Sequence, residues 1–196
     1  LVLLCVPDGA VASVATAVER GGAVIANVAG SLGLDVLAPH PNRAAIHPLA
    51  SLPTPAIGAV RLASGATFSI AGDPGPGLDA ARDVAQVLDG RVIEVADAHR
   101  AAYHAAAAIA SNHLVALLAQ VERTAGQAGV PLDAYLPLVR QTVDNVAVLG
   151  PQGALTGPAA RGDEATLAAH RAVLDPGDVA AYDAMAALCR EMGRSR

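Results

Sequence analysis

Residues 98–127 contain no proline and a single glycine, and ten alanines fall between Ala98 and Ala119. A stretch of that composition has one favoured conformation, a long α-helix, because alanine loses no side-chain freedom there and nothing interrupts the backbone bonding. The chain ahead of it reads differently. Short apolar runs at residues 1–6, 23–28, 44–49, 66–71 and 91–96 alternate with helical or turn-rich segments. Strands separated in this way predict an α/β domain built on a doubly wound parallel sheet with right-handed crossovers. Two domains follow from the change of texture: a sheet domain over residues 1–97 and an all-helical domain over 98–196.

Punctuation supports the division. Asp8 is placed to cap a helix running to about Arg20, and Gly21-Gly22 ends it before the second strand. The proline-rich stretch after residue 49 predicts a loop, and a helix over 77–88 stops at Asp89-Gly90. Later helices are predicted from Pro131 to about Leu149, over 163–174 and over 178–192, with a glycine- and proline-rich loop at 150–158. The opening run, residues 1–6, is continuously apolar up to Pro7-Asp8-Gly9, as in a strand covered on both faces. Cys5 is therefore expected to be buried, and further strands are expected upstream of Leu1.

Apolar residues make up 53% of the chain and charged residues 16%, yet there are one Phe, three Tyr and no Trp, so the interior must be packed from Ala, Val and Leu. Net charge is −5, there is no lysine, and the 13 basic residues are scattered arginines, which argues against nucleic-acid binding. Cys5 and Cys189 form neither a disulfide framework nor a zinc motif, and a reducing cytoplasm is expected. Ser111, Asn112 and His113 interrupt the most apolar helix at a cost in lipid, so no membrane span is expected.

Ligands of doubly wound sheets bind outside the carboxyl ends of the strands. That places Pro7, Asp8, Asn27, Gly30, Ser31 and His47 on the predicted rim. His47 precedes Pro48, which holds it extended at a strand end; it either faces a bound ligand or anchors the following loop. Asn27 and Ser31 flank the Gly30 turn and either contact a cofactor or only make the turn. On the long helix His104 and Ser111 are seven residues apart and nearly eclipsed, with Asn112 about 80° round. This polar strip either serves as a site, with His104 giving a proton near neutral pH, or satisfies itself inside the bundle. Asp163 reads as a helix cap. Arg161 is either a surface residue or a bidentate clasp for a substrate carboxylate. His40, His47, His99 and His104 show no i, i+4 spacing, so no metal site is expected.

Tyr103-His104, Ser111-Asn112, Gly129-Val130-Pro131 and Gln141-Thr142-Val143, in that order, resemble the helical domain of pyrroline-5-carboxylate reductases. Val6-Pro7-Asp8, Gly30-Ser31-Leu32-Gly33, His47-Pro48-Leu49, Tyr103-His104-Ala105-Ala106 and Gly157–Asp163 extend the resemblance over essentially the whole chain. They are similar to a Rossmann-like NADP oxidoreductase family with a conserved helical domain of unknown function, within the ketopantoate reductase and 6-phosphogluconate dehydrogenase-like superfamily. The resemblance implies an NAD(P)-dependent reductase, usually a homodimer through its helical domain, acting in an interdomain cleft on a small carbonyl or imine acid, with Tyr103 and Arg161 as substrate contacts. His104, His47, Ser111 and Asn112 are its expected catalytic residues.

Two departures matter. The family's Gly-x-Gly-x-x-Gly phosphate loop is not in these residues, so an N-terminally truncated domain is expected, and the choice of NAD or NADP is not readable. The Lys-x-x-x-Asn pair of related dehydrogenases is also missing, since Ala108 stands four before Asn112. A catalytically silent sensor or assembly protein that keeps the fold is the rival reading.

Overall fold

The computed structural model describes residues 1–194. Two compact units divide between His113 and Leu114.

The first unit carries a five-stranded sheet in the order β1 (Val2–Leu4), β2 (Ile25–Asn27), β3 (Arg43–Pro48), β4 (Thr67–Gly72) and β5 (Arg91–Glu94). Helices cover both faces. Alternate side chains of the strands point to opposite sides, so Val24, Ala26, Ala44, Ile46, Phe68 and Ile70 pack with Ala81 and Ala85 of α3 (Pro76–Val87). Leu4 and Ile25 pack on the other side with Val11 and Ala15 of α1 (Val11–Ala17) and with Leu37. Alanine at these contacts lets the helices approach closely, which is how a chain poor in aromatics fills its core. The α/β class expected from the sequence is the observed one.

One pairing departs from an all-parallel sheet. β3 and β4 are antiparallel, with Pro48 opposite Phe68, while the other neighbours are parallel. The segment between them is not a bare loop either: Thr54 caps α2 (Pro55–Leu62) by accepting from the Ile57 amide at 3.3 Å, and Pro55 opens the helix. Only Gly58 of α2 is buried. A helix that does not lie across the sheet makes no crossover, so the chain re-enters at the end it left.

β1 is a sheet edge rather than a doubly covered strand. Leu1, Val2 and Leu3 are 54%, 37% and 42% exposed, and Cys5 is exposed too, correcting the expectation of a buried cysteine. Continuous apolar character does not by itself tell an edge strand from a central one.

The long alanine-rich stretch is helical throughout: a 3-10 turn at Asp97–His99, α4 (Arg100–Ala108), a π turn at Ile109–His113 and α5 (Leu114–Gln127). It is long and apolar enough, by length and composition, to cross a membrane. Its Arg100, His104, Glu122 and Arg123 would be costly there.

In the second unit α6 (Leu136–Ala154) breaks its helical geometry at Gly150, whose φ is 71°, where the sequence predicts the helix to stop. A short α7 (Pro158–Arg161) begins at the last residue of the predicted loop and is followed by α8 (Glu164–Val173) and α9 (Val179–Arg194). Asp163 caps α8 through the Thr166 amide at 3.1 Å. Arg123 clasps Asp178 through two nitrogens, at 3.0 and 2.6 Å.

Candidate functional site

The carboxyl ends of β1, β2 and β3 and the first turns of α4 meet on one rim of the first unit. β2 ends in Asn27, which is fully buried and spends its amide on the backbone: Oδ1 accepts from Ala29 N at 3.1 Å and Nδ2 donates to Gly33 O at 3.3 Å. Asn27 therefore builds the loop that carries Gly30. Ser31 donates to Asp8 Oδ2 at 2.7 Å, tying this loop to the turn after β1. Pro7, Asp8 and Ser31 are exposed.

Gly30 is buried against two imidazoles. A β-carbon built on it would stand 2.7 Å from the His104 ring and 2.9 Å from His47 Cε1 and Nε2. His47, held near the end of β3, makes a 2.8 Å hydrogen bond between Nδ1 and the Tyr103 hydroxyl. The His47 and His104 rings lie edge to face with centroids 6.0 Å apart. The structure thus brings together Gly30, His47, Tyr103 and His104, residues from three elements separated by up to 74 positions (104 − 30) in sequence.

Burial, followed by the charges of His104 and Arg100, pushes the His47 imidazole below its ordinary 6.5. Burial pushes the Tyr103 phenol up. His47 is therefore neutral and Tyr103 protonated at neutral pH. The buried Ser69 hydroxyl stands next to Tyr103 but completes no hydrogen bond of good geometry.

Three residues of this neighbourhood were not singled out from sequence: Ser69, Asp97 and Arg100. Arg100 is 1% exposed; its Nε meets Asp97 Oδ1 at 3.2 Å, and both its Nη atoms are buried without a hydrogen-bond partner. Asp97 Oδ2 also accepts from Leu34 N at 2.8 Å, locking the loop after Gly30. One signal for Arg100 was in the sequence: it opens α4, where the helix dipole disfavours a cation, and it shares a face with Tyr103 and His104 at i+3 and i+4.

The polar strip drawn on a uniform helix needs correction. The π turn at Ile109–His113 falls between His104 and Ser111, so the seven-residue eclipse does not hold. Ser111 is half-buried and Asn112 exposed, and neither contacts the imidazole cluster through any described hydrogen bond. Arg161 is exposed at the end of α7, in the second unit. That unit has a cavity of its own, about 670 Å³, lined mainly by apolar groups with Tyr135, His170 and Tyr182; His170 Nδ1 and the Tyr182 hydroxyl are 2.6 Å apart.

The fold recurs in known proteins. The chain superposes on an NADP oxidoreductase of provisional assignment from Bacteroides fragilis with a TM-score of 0.84, at 25% identity, over 96% of this chain and 74% of that one. It superposes on protein TM1727 from Thermotoga maritima with a TM-score of 0.78, at 28% identity, over 98% and 78%. A pyrroline-5-carboxylate reductase from Streptococcus pyogenes matches at 0.52 and 16% identity, over 99% and 75%, a likeness of fold alone. No curated protein matches. A family profile described as a domain of unknown function, DUF2520, covers residues 66–189. With β4, β5, the Arg100–Tyr103–His104 helix and most of the helical unit inside that profile, the chain belongs to the DUF2520 family, on an oxidoreductase-type Rossmann-like fold.

Proposed function

We propose that the protein is an NAD(P)-dependent oxidoreductase that reduces a small carbonyl or imine compound carrying a carboxylate. The observation that carries this is the convergence of His47, Tyr103 and His104 on Gly30 at the carboxyl ends of parallel strands, where such sheets bind ligands. Similarity to the Bacteroides fragilis protein supports the choice of a nicotinamide cofactor.

The residues present fit the nicotinamide-ribose end of that cofactor. Asp8 and Ser31 offer an exposed acceptor and hydroxyl on the rim, whereas no glycine-rich phosphate loop occurs in the chain. When bound, the cofactor supplies a hydride. The chain's own residues supply the proton. Tyr103, still protonated, donates to the neutral His47 at Nδ1, which leaves the ring hydrogen on Nε2, the nitrogen facing Gly30. His47 gives that hydrogen to the substrate oxygen or nitrogen as Tyr103 passes its own to Nδ1, and the tyrosinate so formed, near the Arg100 charge, is reprotonated from solvent as product leaves, when the imidazole returns to its first tautomer. His104, whose ring crowds the same side of Gly30 as His47, orients the substrate or shares the donor role. Ser111 and Asn112 complete the proposed substrate contacts, and the working unit is a homodimer.

The test is oxidation of NADPH and NADH by the purified protein against a panel of 2-keto and cyclic imino acids. Turnover is expected with at least one acid, and His47→Gln and His104→Gln should each lower kcat/KM by about 100-fold. Cofactor binding without turnover for any acid would instead favour the silent sensor.

A further inference from the structure

Among the described residues, Arg100 is a buried arginine with two unpaired nitrogens. A guanidinium does not lose its proton, so a full charge sits 1% exposed with only Nε engaged, by Asp97, and with Nη1 and Nη2 both buried and unpaired. Buried charges are ordinarily paired, and most buried polar atoms have a hydrogen-bond partner. The two idle nitrogens form the planar fork that matches the two oxygens of a carboxylate. The partner of Arg100, Asp97, also holds Leu34 N at 2.8 Å and packs on Gly33, on the loop whose Gly30 touches both imidazoles. Tyr103 and His104 follow Arg100 by three and four positions on the same helix, so all three side chains lie on one face.

We propose that Arg100, through Nη1 and Nη2, is the receptor for the carboxylate of the molecule handled by His47 and Tyr103. The ligand class is a small monocarboxylate. Asp97 already balances part of the arginine's charge, and Asp8 adds a second negative group whose field reaches His47, which disfavours a dianion such as phosphate. The bound acid would complete the hydrogen bonding of the fork and set its reactive carbon beside the imidazoles. Arg161, the clasp expected from sequence, would then be a surface residue. The assignment deepens the reductase reading and rests on it for the chemistry that follows binding.

Calorimetric titration of the full chain with pyruvate, and with pyruvamide as its uncharged isostere, tests the assignment without any nicotinamide present. Pyruvate is expected to bind and pyruvamide not. Arg100→Gln should weaken pyruvate by about tenfold or more, Arg100→Lys should fall between, and Arg161→Gln should titrate like the wild type. If Arg100→Gln does not fold, the acid-against-amide comparison on the wild type decides, together with a pyruvate-induced shift of the His47 ring resonances. Absence of pyruvate binding, equal binding of acid and amide, unchanged affinity in Arg100→Gln, or loss in Arg161→Gln alone would each overturn it. Because binding is read apart from turnover, Arg100-dependent pyruvate binding in a protein that oxidises no NADPH would sink the reductase reading and leave this one standing.

Discussion

Gly30 shows how one residue's lack of a side chain makes room for a site. Its Cβ position is already filled by His104 and His47 ring atoms at 2.7–2.9 Å, closer than side-chain carbons approach. Gly30→Ala is expected to push the two imidazoles apart and lower kcat/KM by about 100-fold, because displacements near 1 Å cost that much, with little change in Tm. His47 carries a second expectation. Its folded pKa lies below the ordinary 6.5 because burial penalises the charged ring. The unfolded chain therefore binds more protons between the two values, so stability rises with pH across that window and falls as the solution is acidified through it. Tm measured from pH 5 to 7 should climb in the wild type and climb less in His47→Gln. The sequence named His47, Tyr103, His104 and Gly30, since a histidine ahead of proline and a Tyr-His pair on an alanine helix stand out chemically. Arg100 and Ser69 stayed hidden because burial and missing partners are properties of the folded surroundings, not of residue type.

Among the elements, the turn between β4 and α3 is the most tightly engineered. Arg43 and Asp73 are joined by Nε to Oδ2 at 2.9 Å, Nη2 to Oδ1 at 2.8 Å and the Arg43 amide to Oδ2 at 2.8 Å. The Arg43 side chain's hydrogen bond holds the Asp73 carboxyl below the usual range. Asp73→Asn should cost about 1–3 kcal/mol in urea unfolding, the range for hydrogen bonds to a charged group. The difference should vanish as acid protonates Asp73 in the wild type. Gly77→Ala belongs to the same turn: a β-carbon there would collide with the Arg43 carbonyl oxygen, and overpacking against backbone should cost about 1–3 kcal/mol in the same measurement. Element type was readable for all five strands and the long helices, because periodicity and glycine or proline punctuation are local. α2 stands where the sequence predicts a loop: Pro53 and Pro55 carry a loop signal, although proline at a first helical position, after a threonine cap, favours a helix. The π turn has no local signature in an alanine-rich run.

For the molecule as a whole, burial is uneven between the two units. Leu167, Ala125 and Ala186 are the buried hydrophobics of the second unit among the described residues, while α6 buries none. Val143, Val148 and Leu149 of α6 are 57%, 82% and 59% exposed. A 19-residue helix with such a surface is poorly stabilised alone, and contiguous apolar surface marks an interface. The proposed homodimer would cover it. Light scattering at micromolar concentration is expected to give twice the mass of one chain for the wild type, and a smaller mass for the double variant Val143→Glu, Val148→Glu. A wild-type monomer would refute the dimer.

What the sequence determined on its own was whatever depends on neighbours along the chain: an α/β first part, a helical second part, the cap at Asp163, and the residue types suited to proton transfer. What only the tertiary structure decided depends on segments far apart in sequence. It set the antiparallel pairing of β3 with β4, the exposure of β1, the use of Asn27 to build a loop, and the meeting of His47 with Tyr103 across 56 positions. The physical reason is that periodicity and capping are settled by bonds spanning a few residues. Burial, pairing partners and the pKa of an imidazole are settled by what the completed fold places beside it.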